Sequence, residues 1–389
     1  MMKKQASGKY IDIRDPILGF YSAFVPNKLI GNIPEMSTDL DVLETSASHA
    51  LGSLDSIIDF LPDKNTFLYS YLRKEAVLSS QIEGTQSSIS DLLLYENDEI
   101  PGVPIYDVEE VSTYIQAVQH GHQAIRSESG ISKELIKELH GILLSKGRGS
   151  NKRPGSIREK QNWVGGEKPG NAQYVPPPPE FVEELIDDLV RFISDTSLSL
   201  PPARRAGIAH AQFESIHPFY DGNGRVGRML LSLTLSLHGM LRQPLLYLSL
   251  YLKRKRVAYY DHLQNVREDN SWSSWLEFYY AGVIEVAKGA HKTALELLNL
   301  FEHDKQKIES NAGRFSGTMI RVHEIFKKEI VVKPKHIIES LGISAPTAMK
   351  AIRGLHDLGI ITEITGKQRY SVYSYSKYLD RLNEGAEPL

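Results

Sequence analysis

Apolar side chains return every three or four residues through most of this chain, the pattern of buried helix faces. Leu54, Ile57 and Ile58 mark one face within residues 51–60, and Phe67, Leu68, Tyr71, Leu72 and Leu78 mark a second from Asp63 onward. The spacing resumes at Val111, Ile115 and Val118, then at Leu135, Ile136, Leu139, Ile142 and Leu143 behind Ser132, a residue suited to a helix N-cap. Phe181, Leu185, Ile186 and Leu189 follow Pro179, and Ile208, Ala209, Phe213 and Ile216 follow Pro201-Pro202. Val226, Met229, Leu230, Leu233 and Leu237 trace one more face, and Trp272 opens a long helix toward Phe301. A mainly α fold is predicted.

Three stretches depart from that rhythm. Residues 1 to about 45 read as irregular, broken by Pro16, Pro26 and Pro34. Residues 161–177 predict two short strands around a Gly/Pro turn, a small β-hairpin ended by Pro176 to Pro179. Its unpaired edge could take an extended peptide as an added strand, or the stretch could be a plain surface loop. From Asn311 the order is helix, helix, turn at Gly342, a third helix capped by Ser344, and a hairpin over 360–373, which is the order of a winged-helix module. The chain thus divides into 1–110, 111–300 and 311–389.

Composition narrows the classes. The hydrophobic share of 41% and the formal charge of −3 suit a globular protein and argue against a surface that is basic all over. There are no cysteines, which excludes disulfides, thiolate zinc sites and a cysteine nucleophile and makes the cytoplasm the expected location. No apolar run follows Lys3 and Lys4, so no signal peptide is read, and Met229 to Leu241 is too short for a membrane span. Lys350, Arg353, Lys367 and Arg369 fall on the third helix and the turn of the last module. Four cations are few for tight DNA binding, so DNA contact is open but not favoured, and docking or homodimer formation is equally open.

One loop concentrates the chemistry. His217-Pro218-Phe219-Tyr220-Asp221-Gly222-Asn223-Gly224-Arg225-Val226-Gly227-Arg228 runs straight into a predicted helix. A glycine-rich loop at a helix N-terminus turns backbone N–H groups and the positive dipole end toward an anion. Arg225 and Arg228, three residues apart on the face opposite the apolar stripe, are placed to reach the same polyphosphate. Asp221 beside that phosphate calls for a shared Mg²⁺, and His217 is placed as a general base. Phe219 alternates away from the site, toward the core.

This loop resembles the signature of Fic-domain proteins, His-Pro-Phe-x-(Asp/Glu)-Gly-Asn-Gly-Arg-x-x-Arg, at every defining position. The resemblance spans roughly residues 50–300 and implies a helical Fic-type core that transfers AMP from ATP to a Ser, Thr or Tyr hydroxyl of a protein, self-modification included. It implies His217 as base, Asp221 as the Mg²⁺ ligand, and Gly222, Asn223, Gly224, Arg225, Val226, Gly227 and Arg228 around the nucleotide. Glycine rather than lysine at 224 favours AMP transfer over phosphorylation. Ser79-x-x-x-Glu83-Gly84 is similar to the family's inhibitory motif, whose glutamate pairs with the second arginine, here Arg228. Residues 161–177 resemble its flap, with Trp163, Val164, Tyr174 and Val175 seating the target, and Tyr259 and Tyr260 fall where adenosine is contacted. A winged-helix C-terminal domain occurs in a subset of the family.

Three readings stand at this point. The first is an autoinhibited protein adenylyltransferase. The second is a nucleotide-sensing, DNA-binding regulator, which would need the glycines and arginines but not His217. The third is the reverse reaction, removal of AMP, with Glu83 positioning a water.

Overall fold

The stretch expected to be irregular begins with a β-hairpin. β1 (Gly8–Asp15) and β2 (Gly19–Pro26) pair antiparallel over their whole length, from Gly8 opposite Pro26 to Asp15 opposite Gly19. The reason lies in the turn. The Asp15 carboxylate accepts the N–H groups of Ile17 and Leu18, both at 2.8 Å, and Gly19 supplies a φ of +82°. Pro16 sits inside that turn and Pro26 ends β2, positions at which a missing N–H does no harm to the ladder. The computed structural model describes residues 7–36, 38–57, 59, 64–127, 130–243, 246–366 and 371–387. Ile58 and Asp63 of the first two predicted helices lie outside the described residues.

Helices then dominate: α1 (Asp39–Ile57), α2 (Lys64–Ile82), α3 (Ile89–Glu96), α4 (Ile105–Arg126) and α5 (Lys133–Leu143). α3 is short and escaped the periodicity reading. It is fixed by its start, where the Ser88 hydroxyl accepts from Asp91 N–H while the Asp91 carboxylate accepts from Ser88 N–H. After the 161–177 segment come α6 (Pro179–Ser194), α7 (Pro202–Ile216), α8 (Asn223–Leu237), α9 (Ser249–Arg254), α10 (Arg256–Asp269) and α11 (Trp272–Asn311). α7 packs against α8, and α1 packs against α11. At 1.5 Å per residue the 40 residues of α11 reach about 60 Å, so one helix runs from the central core to the last module.

That module holds α12 (Ser316–Glu329), β3 (Val331–Val332), α13 (Pro334–Leu341), α14 (Ala345–Asp357), β4 (Thr362–Glu363), β5 (Tyr373–Ser374) and α15 (Ser376–Asn383). Its three strands are ordered β3-β5-β4, each pair antiparallel, so the expected hairpin is present but shorter than 360–373. Lys367 and Arg369 lie outside the described residues, and the Lys350 ammonium rests 4.6 Å from the Phe315 ring centre.

α15 and the residues after it return to α2, a contact that sequence reasoning did not foresee. Tyr378 Oη donates to Ser70 Oγ (2.9 Å), Lys74 Nζ to the Glu384 carbonyl (2.7 Å) and Gln81 Nε2 to the Ala386 carbonyl (3.0 Å). Lys253 Nζ joins them, donating to Gln81 Oε1 at 2.6 Å and to the Glu387 carbonyl. This clasp follows one face of α2 over about three turns. Among the described residues no helix is long and apolar enough to cross a membrane.

Candidate active site

α7 stops at Ile216 because His217 adopts a left-handed backbone, φ 49° and ψ 60°, and Pro218 cannot continue a helix. The chain turns over five residues and re-enters helix at Gly222, φ 75°, with Asn223 first in α8. Asn223 closes the loop on itself: its Oδ1 accepts from Phe219 N–H at 2.9 Å and its Nδ2 donates to the Phe219 carbonyl at 2.8 Å. The side-chain amide is therefore committed to the loop, and an anion at this point meets the first-turn N–H groups of α8. Phe219 is buried, as expected, with its ring stacked on His140 at 3.7 Å between centroids. His140 Nδ1 accepts from Gly155 N–H and its Nε2 donates to the Asp221 carbonyl, and burial pushes its pKa down to about 4. A neutral imidazole thus supports the loop from below.

The two arginines differ from expectation. α8 has no exposed polar face here, and Arg225 and Arg228 are both buried within it. Buried guanidiniums need partners, and each has its own. Arg225 Nη1 lies 3.1 Å from Glu110 Oε2, and its Nη2 lies 3.5 Å from Asp221 Oδ1. Arg228 donates through Nε to Ser79 Oγ (2.8 Å) and through Nη2 to the Ser79 carbonyl (3.0 Å) and Glu83 Oε1 (2.8 Å). Glu83 stands just beyond α2, and Gly84 takes φ +97° directly after it. Burial is the largest single influence on Glu83 and opposes its ionisation, but the Arg228 charge and hydrogen bond, joined by the Arg225 charge, together outweigh it and hold the carboxyl below its ordinary range. Ser79, Glu83 and Arg228 are one constellation.

Gly224 is demanded by that pair. A Cβ there would stand 2.3 Å from Glu83 Oε1 and 2.9 Å from Arg228 Nη1. Gly224→Ala is therefore expected to cost about 1–3 kcal/mol of stability, and most of that loss should vanish in a Glu83→Gly background. Denaturant unfolding of the four proteins reads the cycle, and an equal cost in both backgrounds would place the clash elsewhere. Gly227 is tight for another reason, since a Cβ there would meet Glu214 Oε1 at 2.6 Å. Val226 is fully buried in the core.

His217 is neutral. Burial, reinforced by the Arg158 and Arg267 charges, pushes its pKa down to about 3, and its ring has the Glu214 carbonyl as a hydrogen-bond partner. One nitrogen bound to a carbonyl leaves the other to accept a proton. Asp221 is half-exposed: its Oδ1 accepts from Gly222 N–H at 2.6 Å, while Oδ2 faces Gly149. A single open carboxylate suits Mg²⁺ that takes its other oxygens from phosphate and water. No cluster of three or more His, Cys, Asp or Glu residues forms a metal site among the described residues.

The remaining predicted residues separate into buried and open. Tyr259 is buried, its hydroxyl 2.8 Å from His210 Nε2, whereas Tyr260 is 41% exposed and 5.8 Å from the Arg256 guanidinium. The expected pair of flap strands contracts to one bridge, Val164 with Tyr174, because residues 169–171 curl into a helical turn between them. The flap edge at Val175 is not free. Its carbonyl accepts from Phe24 N–H of β2 at 2.9 Å, and Trp163 and Val175 pack with Tyr21 and Ala23. An added strand therefore has only the Val164 side. Sequence reasoning missed Arg158, Glu110, His140 and Arg267. Arg158 sat in a basic, glycine-rich stretch that resembled solvated surface.

Residues 43–123 match the family described as Fic/DOC family N-terminal, and residues 130–235 match the Fic/DOC family. A Caenorhabditis elegans protein named protein adenylyltransferase fic-1 is 34% identical over 163 residues, 41% of this chain and 30% of that protein. The protein adenylyltransferase Fic of Drosophila yakuba is 29% identical over 238 residues, 59% of this chain and 45% of its own length. The chain thus spans less than half of these curated relatives. Among solved structures, a Fic family protein from Desulfovibrio desulfuricans superposes with a TM-score of 0.56 at 17% identity, covering 88% of this chain and 97% of its own. A Fic domain containing signaling protein from Bacteroides thetaiotaomicron gives 0.51 at 20% identity, over 64% and 98%. At those identities the likeness is one of fold.

Proposed function

Residues 43–123 carry the Fic/DOC family N-terminal match and residues 130–235 the Fic/DOC family match, and from that premise we propose that this chain is a Fic-type protein that transfers AMP from ATP to a hydroxyl of a protein. We further propose that Glu83 holds this activity in check. The observation that carries the reading is the junction of a His217 that favours its neutral form, a helix N-terminus suited to phosphate, and a buried Arg228 whose Nη2 is shared by Ser79 and Glu83.

In this reading ATP lies along the 217–228 loop, with its phosphates against the first turn of α8 and the terminal phosphate turned toward Arg228. His217 takes the proton of the target hydroxyl. That oxygen attacks the α-phosphorus, forming a P–O bond, as the bond to the bridging α–β oxygen breaks and pyrophosphate leaves. Asp221 would hold Mg²⁺, which supplies charge neutralisation across the phosphates when bound. A carboxylate on Arg228 displaces the terminal phosphate and with it the in-line geometry at the α-phosphorus, which positioning-dependent catalysis does not tolerate. The flap seats the target backbone on its Val164 side. Residues 311–389 form a winged-helix module in this reading, and the chain acts in the cytoplasm.

ATP labelled separately on its α- and γ-phosphate tests the reaction class in the Glu83→Gly protein. Protein-bound label is expected from the α-phosphate only. Label from the γ-phosphate would make this a kinase. Tight ATP binding with no protein-bound label from either position would favour a nucleotide sensor.

A further inference from the structure

α7 delivers His217 and ends against side chains that the proposed chemistry does not use. The last carbonyls of a helix lack intrahelical partners and must find them elsewhere. Here side chains from neighbouring segments meet all of them. The Glu214 carbonyl accepts from Arg267 Nη2 (3.3 Å) and that of Ser215 from the Tyr174 hydroxyl. The Ile216 carbonyl accepts from Arg158 Nη2 (3.5 Å), and that of His217 from Arg158 Nε (2.9 Å).

Arg158 is 1% exposed, and its Nη2 also donates to the Pro177 carbonyl at 2.5 Å, at the far end of the flap. Its own backbone N–H reaches the Pro218 carbonyl at 3.0 Å. Tyr174 belongs to the flap as well, with the Arg267 guanidinium 3.7 Å from its ring centre. Among the described residues no carboxylate comes within ion-pair distance of Arg158. A buried guanidinium whose side-chain hydrogen bonds all end on backbone carbonyls is not half of a charge pair. Its planar fork of five donors fixes where two chain segments lie, a task a lysine ammonium cannot copy.

We propose that Arg158 is a positioning residue: it holds the left-handed turn that presents His217 and, through Pro177, joins that turn to the flap as one mechanical unit. The proposal rests on the reading of His217 as base and of the flap as target seat. Seating a target strand and aiming the base at its hydroxyl then require the same placement of residues 158–177 against 214–218. The phosphate side is held separately, by Asn223 and His140 under the loop and by Ser79 on Arg228.

The test compares Arg158→Lys, Arg158→Gln and Tyr174→Phe in the full chain carrying Glu83→Gly. Both Arg158 variants are expected to lose roughly 10- to 100-fold in kcat, with the KM for ATP held within about twofold, since misplacing a base by an ångström costs on that order. Arg158→Gln should also raise the titration midpoint of the His217 ring followed by NMR, and Arg158→Lys should not, which separates the charge from the bridge. Tyr174→Phe removes one carbonyl bond and keeps the ring, and should lose roughly 2- to 10-fold in kcat. It carries the test should the Arg158 variants not fold. A folded Arg158→Lys with the parent's kcat, or a rise in the KM for ATP that accounts for the loss, would overturn the proposal. If the Glu83→Gly parent transfers no AMP, the reading of the activity fails and the coupling is still measured. Arg158→Lys is expected to shift both the His217 ring and the Trp163 indole resonances, and a shift at only one refutes the joint unit.

Discussion

His217→Ala in the Glu83→Gly protein is expected to reduce AMP incorporation by about 10²–10⁴-fold, the usual contribution of a positioned general base, while ATP still binds. His217 precedes α8 and contributes none of the first-turn N–H groups of that helix, so in the proposed reading its loss removes the proton acceptor and spares the anion site. The pH profile gives a sharper check. An ordinary imidazole, with a pKa near 6.5, would lose half its base form at that pH. Here burial beside Arg158 and Arg267 lowers the folded-state pKa to about 3, so the base form dominates above that pH and is essentially complete by about pH 5. The rate should therefore be flat between pH 5 and 8 on the acid side. An acid limb near pH 6.5 that disappears in His217→Ala would show a solvated imidazole and contradict the burial. Retention of rapid transfer by His217→Ala would remove the histidine from the reaction.

Glu83→Gly is expected to raise AMP incorporation by roughly 10- to 100-fold. A hydrogen bond to a charged partner is worth about 1.5–3 kcal/mol, and every ~1.4 kcal/mol is a factor of ten. The same change has the opposite sign on stability. Arg228 is buried and keeps its Ser79 contacts but loses its only ion-pair partner among the described residues, so the nucleotide-free protein should lose up to about 3 kcal/mol. ATP with Mg²⁺ supplies a replacement anion, so nucleotide should raise the melting temperature of Glu83→Gly more than that of the wild type. Equal nucleotide-induced shifts in the two proteins would mean that Glu83 and the phosphate do not compete for Arg228. Glu83→Gln, which keeps the volume and loses the charge, should fall between the two.

The candidate loop was legible because its chemistry is local: twelve consecutive residues carry the histidine, the carboxylate, the glycines and both arginines. The Glu83 pairing was legible for the same reason, as its motif spans only the six residues 79–84 at the end of α2. The environments of the arginines were not. Their burial is set by Glu110 and Ser79, 115 and 149 residues away, and helical spacing alone placed them on an open face. The N-terminal hairpin was hidden by its prolines, which weigh against helix but are compatible with a turn and a strand end. α3 was too short for periodicity and visible only through its cap. Arg158 shows the limit most clearly, since its contacts are to carbonyls, which carry no side-chain identity for a sequence to display.

The clasp on α2 sets an order of events. Gln81 and Ala386 lie 305 residues apart, and a contact at that separation forms late. A ribosome that has just released Tyr260 has already made Glu83, His217 and Arg228, with 126 residues still to add before Ala386. At about 5–20 residues per second that interval is roughly 6–25 s. Throughout it α2 already has its partners in α3, α4, α8 and α9 but lacks the clasp of residues 378–387, so the nascent protein carries the whole 217–228 loop while one face of the helix leading to Glu83 is still uncovered.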